Sequence, residues 1–466
     1  MRAPMRWIGV ATVAGLAGCV AQAPHPLDLP AGREALTKAS LDDGITIQAL
    51  NRCGLAAPAA GHAWTKAELT CAALARSPRM HIARSAVEEA WAGLTTAAAR
   101  ANPTLSLSAD RAAGVPVFPW LWGFTVDVPL DGGARRALRM ASADIALRAA
   151  RLDYAEQGWA LRRELHAAVR SMLIAQRRVE VAERMSAAAG DWLAAVEARI
   201  DAGEAAAAER VAPRSALARA SSERSQSRLR SVESCARAAV ALGLLPPALA
   251  NLDWQEAWMK PQARTADLDF LRSDALAHRA DLARALRDYD ASELDLQREA
   301  RNQYPQISIG PGYTYDHGTR KLTFAVNATL PLFNRNEGPI AQARVRRQAA
   351  ERRVDAVQVA IAVELDAAAM GWAAAEEALA AAQEQRAAAD RAVDRLRRAR
   401  DAGAEDRAAL RAGEVDALDG RLAEIAALET VLNAQATLED PLRVPLDAAE
   451  RAFARTAAYR EDHSDE

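Results

Sequence analysis

The chain has 466 residues, of which 50% are hydrophobic, 26% charged and only 5% aromatic, and its formal net charge is −2. Mixed, nearly balanced charge leaves no electrostatic footprint for nucleic acid, so DNA and RNA binding are set aside. Alanine dominates the apolar residues and Arg and Glu the charged ones, a composition that favours long helices over bulky cores.

In chain order, residues 1–18 read as a signal peptide: Arg2 and Arg6 precede a short apolar run from Trp7 to Val13, too short to span a bilayer as a mature helix. Leu16-Ala17-Gly18-Cys19 resembles the bacterial lipobox, which makes Cys19 the lipidated first residue of a mature chain; an ordinary signal peptide with a chance cysteine is the alternative. Val20, where lipoproteins kept at the inner membrane carry Asp, points to the outer membrane, where acyl chains anchor without spanning. Residues 19–64 then read as an irregular, lipidated linker. Cys53 and Cys71 can pair across a short loop in an oxidising periplasm, leaving Cys235 over; three unpaired thiols are the other reading. The seven histidines are scattered and no Cys/His spacing suggests zinc, so no metal site is written locally.

The remainder is one unit written twice. Asn102-Pro103-Thr104-Leu105 matches Tyr304-Pro305-Gln306-Ile307 and the proline-leucine ending at Leu130 matches that at Leu332, both at an offset of 202; Arg163 and its followers match Val363, and Asp201-Ala202-Gly203 matches Asp401-Ala402-Gly403, at an offset of 200. The first repeat, 65–245, is expected to hold a helix from about Thr65 to Ala101, two strands within 103–130, a long helix over 134–200 and another over 205–242. Pro246, Pro247 and Pro261 mark a linker over 246–266. The second repeat, 267–439, follows the same plan, with a helix from Asp267 to Asn302, strands within 305–332, a helix over 340–401 and another over 406–439; residues 440–466 form an irregular tail. A helix over 134–200 would be roughly 100 Å long, more than a compact domain needs.

Between the helices the period changes to two. Trp120, Trp122, Phe124, Val126, Val128 and Leu130 alternate with Gly123, Thr125 and Asp127, and Leu322, Phe324, Val326 and Ala328 alternate with Thr323, Ala325 and Asn327. Runs of this length, apolar on one side and polar on the other, fit a tilted strand in a barrel wall, lipid outside and water inside. An ordinary sheet packed on a soluble core is the competing reading, but the flanking helices offer little bulk to cover an aromatic face. Four strands cannot close a barrel, and open edges in lipid cost several kcal/mol for each unpaired group. Bacterial barrels begin at about 8 strands, so further copies must complete the wall.

The duplicated plan, the strand pairs, the Asp-Ala-Gly turns and above all Pro331-Leu332-Phe333-Asn334-Arg335-Asn336 followed by Gly338 resemble the TolC-like outer-membrane efflux channels, most closely the heavy-metal and cation branch of the CzcC and CusC type. The resemblance implies a mainly α fold with a transmembrane β-barrel portion: a homotrimeric twelve-stranded barrel continuing into a long α-helical periplasmic tunnel. It also implies a periplasmic adaptor and an inner-membrane RND transporter as partners, with the channel serving as a passive exit duct for metal cations or small toxic compounds. No covalent chemistry and no cofactor are implied, and no nucleophile-base arrangement or phosphate-cradling glycine loop argues otherwise.

On this reading Asp201, Glu204, Asp401, Glu405 and Asp406 stand at the periplasmic tip as gate or selectivity acids, each becoming a ring of three. Many relatives place gating aspartates further along the second tip helix, where this chain has Ala409 and Ala412. Solvated helix-cap acids are the alternative. Rival functions are a duct for protein or peptide secretion, with the same fold, and a periplasmic helical scaffold without a pore.

Overall fold

A computed structural model describes residues 23–59, 61–111, 113, 119–130, 132–250, 252–262 and 279–452. The signal peptide, Cys19, Phe118 and Asp131 lie outside the described residues, as does the expected helix start at 267.

Two helices dominate: α5 (Gly133–Asp201) with 69 residues and α8 (Glu337–Asp401) with 65. No proline interrupts either beyond its first turn, so each backbone carries its i to i−4 hydrogen bonds unbroken for roughly 100 Å. Each folds back on a shorter helix, α5 on α6 (Val211–Leu242) and α8 on α9 (Arg407–Leu442). Two more helices, α4 (Pro78–Ala98) and α7 (Ala280–Arg301), rise beside them to the strands. The contacts run α4 to α5 to α7 to α8 near the strands and α6 to α5 to α9 to α8 towards the turns, so α4 and α6 form one edge of the helical layer and α8 the other. Small residues let the rods approach: Ala189, Ala216 and Ala220 are fully buried where α5, α6 and α9 meet around Met185 and Val415.

The strands β2 (Thr104–Arg111), β3 (Trp120–Leu130), β5 (Ile307–Asp316) and β6 (Thr319–Ala328) form one antiparallel sheet in the order β2-β3-β5-β6. The sheet is open within one chain, with β2 and β6 at its edges. A two-residue turn joins β5 to β6, His317 at φ +46° and Gly318 at φ +100°, the geometry that matches the twist of a hairpin.

Several expectations fail locally. The helix expected over 65–101 is two helices, α3 (Lys66–Arg76) and α4, separated at Ser77. Pro78 is the cause: it lacks an N–H and disfavours helical backbone at the preceding residue. The described residues from 23 to 64, expected to be irregular, are not. They contain α1 (Leu29–Lys38), capped by Asp28, and α2 (Gly44–Arg52), capped by Asp43, followed by β1 (Ala63–Trp64). β1 pairs in parallel with β4 (Asp253–Trp254) from the proline-rich linker, and Trp258 Nε1–H donates to the Trp64 carbonyl at 2.9 Å. Leu50, Leu69, Leu161, Leu165 and Trp258 close this core without solvent exposure beyond 1%. α6 starts at Val211 after a 3-10 turn rather than at 205, and the tail beyond 440 packs, with helical residues 448–452 and a buried Glu450.

Cys53, at the C-cap of α2, is joined to Cys71 in α3 across 18 residues, and Cys235 is free. Closing a loop of that size restrains the unfolded chain by about 3 kcal/mol. Replacing both cysteines by serine is therefore expected to lower stability by about 3 kcal/mol, read as a loss of denaturation midpoint in detergent. An unchanged midpoint would remove the disulfide from the list of what holds this core.

Candidate functional site

The sheet is the first candidate. Its register sets Leu107 opposite Phe124, Phe124 opposite Tyr313 and Tyr313 opposite Leu322, so one face carries Leu105, Trp120, Trp122, Phe124, Tyr315, Leu322, Phe324 and Val326. Most of these stand out into solvent: Trp120 is 52% exposed, Trp122 45%, Phe124 41%, Leu322 89%, Phe324 69% and Val326 61%, whereas Val126 is half-buried. Trp122 stacks on Tyr315 with ring centroids 5.8 Å apart, and Phe124 stacks on Tyr313 at 6.2 Å. Among the described residues no helix covers this face.

The opposite face is mostly small and polar, Leu121 and Pro129 excepted. Gly123 pairs with Thr314 and Thr125 with Gly312 on β5, and Gly310, Gly312 and Ser308 pair in turn with Ala325, Thr323 and Asn327 on β6. A Cβ on Gly312 would meet the Phe124 carbonyl at 2.7 Å and Thr323 Oγ1 at 2.8 Å, and one on Gly123 would meet the Tyr313 carbonyl at 2.8 Å. The sheet therefore curls with this face inside, where only glycine fits. Asp127 sits at its centre, accepting from the Ser308 hydroxyl at 3.0 Å and from Asn327 Nδ2 at 3.2 Å.

Where strands meet helices, side chains at the starts of the long helices hold the backbone ends of the neighbouring helices, and Arg135 does so across the two halves. Arg136 Nε donates to the Ala98 carbonyl at the end of α4 (2.9 Å), and Arg135 donates to the Tyr304 carbonyl just past α7 (2.8 Å). Cations at helix C-termini also match the helix dipole. In the Asn-Arg-Asn segment, Asn336 takes a left-handed backbone (φ +60°), and its Nδ2 donates to the Glu299 carbonyl and carboxylate, both at 2.8 Å. Phe333 beside it is fully exposed.

The turns at the far end are twins. Gly203 and Gly403 both lie at φ +75°; Gly203 N–H donates to the Ile200 carbonyl and Glu204 N–H to that of Arg199, while Gly403 and Ala404 repeat both bonds with Arg400 and Ala399. The five acids placed here by sequence do cluster, but in unlike roles. Asp406 caps α9, accepting from the Ala409 N–H at 2.7 Å, and it also pairs with Arg199 of α5 at 3.2 Å. Asp401 pairs with its neighbour Arg400 at 2.6 Å. Asp201, Glu204 and Glu405 are exposed and have no side-chain bond among the described residues. A second tie between the same helices joins Arg411 to Asp191 at 3.0 Å.

Sequence reasoning missed a buried ionic cluster at mid-height. Arg162 of α5 holds Glu450 with two bonds of 2.7 Å and Glu439 with one of 3.0 Å. His166, one turn on, lies 2.9 Å from Thr70 Oγ1, edge-on to Trp258 and 3.6 Å from Glu450. Burial works against charge on Arg162, but the two carboxylates outweigh it and raise its pKa. Burial first, then the charges of Arg162, Arg170 and Lys66, push the His166 pKa well below 6.5. His166 thus stays neutral in the fold while the unfolded chain takes up a proton. Its contribution to stability is complete above pH 6.5 and declines as pH falls below it. Between pH 7 and 5 the native protein is expected to lose about 2 kcal/mol more than a His166→Gln variant does, checked by denaturation across that range. Equal slopes for the two proteins would contradict this.

Comparison with known proteins fits this geometry. Residues 271–442 match the model of the outer membrane efflux protein family. The first half is not part of that match, and no curated protein sequence matches the chain. Among solved structures, the chain is similar to the outer-membrane channel OprN (TM-score 0.68, 18% identity, covering 81% of this chain and 89% of that one). It is similar also to the outer membrane protein VceC of Vibrio cholerae (0.67, 16%, 82% and 97%) and to CusC (0.64, 16%, 80% and 91%). At such identities the likeness shows a shared fold, that of long-helix outer-membrane channels, and CusC stands no nearer than the others.

Proposed function

We propose that the chain is the outer-membrane exit duct of a tripartite efflux pump. The observation that carries this is the two-faced open sheet: an uncovered aromatic face on one side, a curled glycine, threonine and asparagine face on the other. An aromatic face without a core to cover it belongs in lipid, and a polar concave face belongs around water. The unpaired edges of β2 and β6 call for more copies, and three copies bring the wall to twelve strands. Family likeness supports an adaptor and an RND transporter as partners and a passive route across the outer membrane. Within that class we assign metal cations or small toxic compounds as cargo, on the Pro331 to Gly338 signature. Lipid attachment through Cys19 completes the proposal.

Single cysteines placed at Trp122 and Thr125 in a Cys235→Ser background test the wall directly. In intact membranes Thr125→Cys is expected to react with a small water-soluble maleimide several-fold faster than Trp122→Cys, and the purified protein is expected to conduct in planar bilayers. Equal reactivity, or a protein that never conducts, would overturn the duct.

The tip acids are proposed as a cation-selective, strain-loaded ring, with Asp201, Glu204 and Glu405 free to act through space and Asp401 and Asp406 partly neutralised by arginine. Replacing Asp201, Glu204 and Glu405 together by their amides is expected to reduce cation over anion selectivity and to change the open fraction. If both quantities stay at the native values in single-channel recordings, the acids are merely solvated caps.

A further inference from the structure

We propose that Arg111 and Arg320 form a binding site, on the aromatic face of the wall, for the phosphate groups of a lipid headgroup in the outer leaflet of the membrane. The inference rests on the duct reading, which says which face meets lipid and which end looks outward, and it adds a ligand of stated chemistry.

Connectivity orients the sheet. α4 leads into β2 at Thr104, β3 leaves for α5 at Leu130, α7 leads into β5 at Ile307, and β6 leaves for α8 at Ala328. All four helices therefore attach at one end, which is the periplasmic end on the duct reading. The other end carries Arg111, Trp120, Asp316 and Thr319 with the hairpin turn at His317-Gly318, so it looks outward.

Charge is sorted between the two faces. By the alternation and register of the four strands, the aromatic face holds two charged side chains, Arg111 and Arg320, and both stand at the outward end. The acids of the strands, Asp110, Asp127 and Asp316, all fall on the opposite face, together with Lys321, which is paired to Asp316 at 2.5 Å. The helix-side end of the aromatic face, at Leu105, Leu130, Ile307 and Ala328, carries no charge. Cations at one membrane surface, with none at the other and no acid beside them, match a leaflet whose headgroups are anionic.

Neither arginine is used up inside the chain. Both are exposed, and among the described residues neither side chain has an ion pair or a hydrogen bond. Arg111 Cζ lies 5.7 Å from the centroid of the Trp120 ring, and Arg320 stands opposite Tyr315, which stacks on Trp122. Arginine stems laid along aromatic surface, with the guanidinium raised towards water, suit the depth at which tryptophan and tyrosine mark a membrane interface. Register puts Arg320 level with Trp122 and Arg111 with Trp120, one outward row or about 7 Å higher. The guanidinium fork fits phosphate oxygens with paired N–H donors. The two arginines lie on the edge strands, so closure of the wall sets Arg320 of one copy on the strand next to Arg111 of another, with a double-arginine site at each seam.

Lipid titration of the full-length protein in non-ionic detergent tests the site, with bound lipid counted by native mass spectrometry. The probes are a diphosphorylated, acylated glucosamine disaccharide, the same lipid stripped of phosphate, and inorganic phosphate alone. The native protein is expected to bind the phosphorylated lipid about ten-fold more tightly than the stripped one, and R111Q/R320Q is expected to lose that margin. Each single exchange is expected to lose part of it, so the result does not hang on the double variant. K321Q, which removes the neighbouring cation from the other face, is expected to keep it. Equal affinity for the two lipids, an unchanged margin in R111Q/R320Q, an equal loss in K321Q, or displacement of the lipid by inorganic phosphate would each overturn the lipid site. Current through the native protein and the variants in planar bilayers is read separately. Any of those outcomes in proteins that still conduct leaves the duct standing, whereas a native protein that never conducts overturns the duct itself.

Discussion

A strand edge placed in hydrocarbon has no water to satisfy its N–H and C=O groups, and on the proposed reading the four-stranded sheet of this chain has two such edges, β2 and β6, that must be paired. The sheet cannot stretch into a closed wall by itself, because its four strands are too few. On the proposed reading it is completed by copies of itself, joined head to tail, β2 to β6. The glycines of the inner face belong to the same constraint. A wall made of few strands must curl tightly, and Gly123 and Gly312 are the places where a side chain would meet backbone.

Duplication supplies the symmetry of this design, and divergence supplies its mid-height belt. The two tips are nearly superposable in hydrogen bonding, since the turn needs only a glycine with positive φ and a run of free carbonyls. At mid-height the described residues of the two halves differ. The first is wrapped by α1, α2, α3 and the β1-β4 pair, locked by the Cys53–Cys71 bridge; the second has Leu282, Ile361, Leu365 and Trp372 around the end of α9. Arg162 bridges the two, reaching from α5 to Glu439 and Glu450 at the far end of the chain. Buried pairs of this kind return little net stability, because desolvation consumes most of the attraction. With Arg162 buried, loss of a carboxylate partner leaves its charge poorly compensated, which costs about 3–5 kcal/mol.

What was legible in the sequence was whatever has a short period. The alternation from Trp120 to Leu130 and from Leu322 to Ala328 gave the strands and their faces, and the register confirms that apolar and polar sets segregate. The turns at Gly203 and Gly403 were equally plain. The helix break at Ser77 was legible too, in Pro78, but an apolar pattern running through it hid the stop. The mid-height cluster was not legible at all, because Arg162, His166, Thr70, Glu439 and Glu450 are separated by up to 380 residues and no local spacing announces them. The N-terminal helices were missed for a related reason: Leu41 and Leu50 are buried against α5 and the linker, and short segments like these are stabilised by what they dock onto rather than by their own propensity.

The tip shows how position alone misassigns a role. All five acids read alike in sequence, yet Asp406 is committed twice, to the first turn of α9 and to Arg199 of α5. Arg411 to Asp191 repeats the tie between α5 and α9, and Arg386 to Glu424 and Arg421 to Asp390 tie α8 to α9. Each exposed pair is worth no more than about 1 kcal/mol, but together they fix the register of three helices. Within one copy the tip is therefore a stitched unit. On the proposed reading, widening a ring of such units is taken up at the seams between copies, where Asp201, Glu204 and Glu405, without an internal partner among the described residues, are the acids left to repel one another.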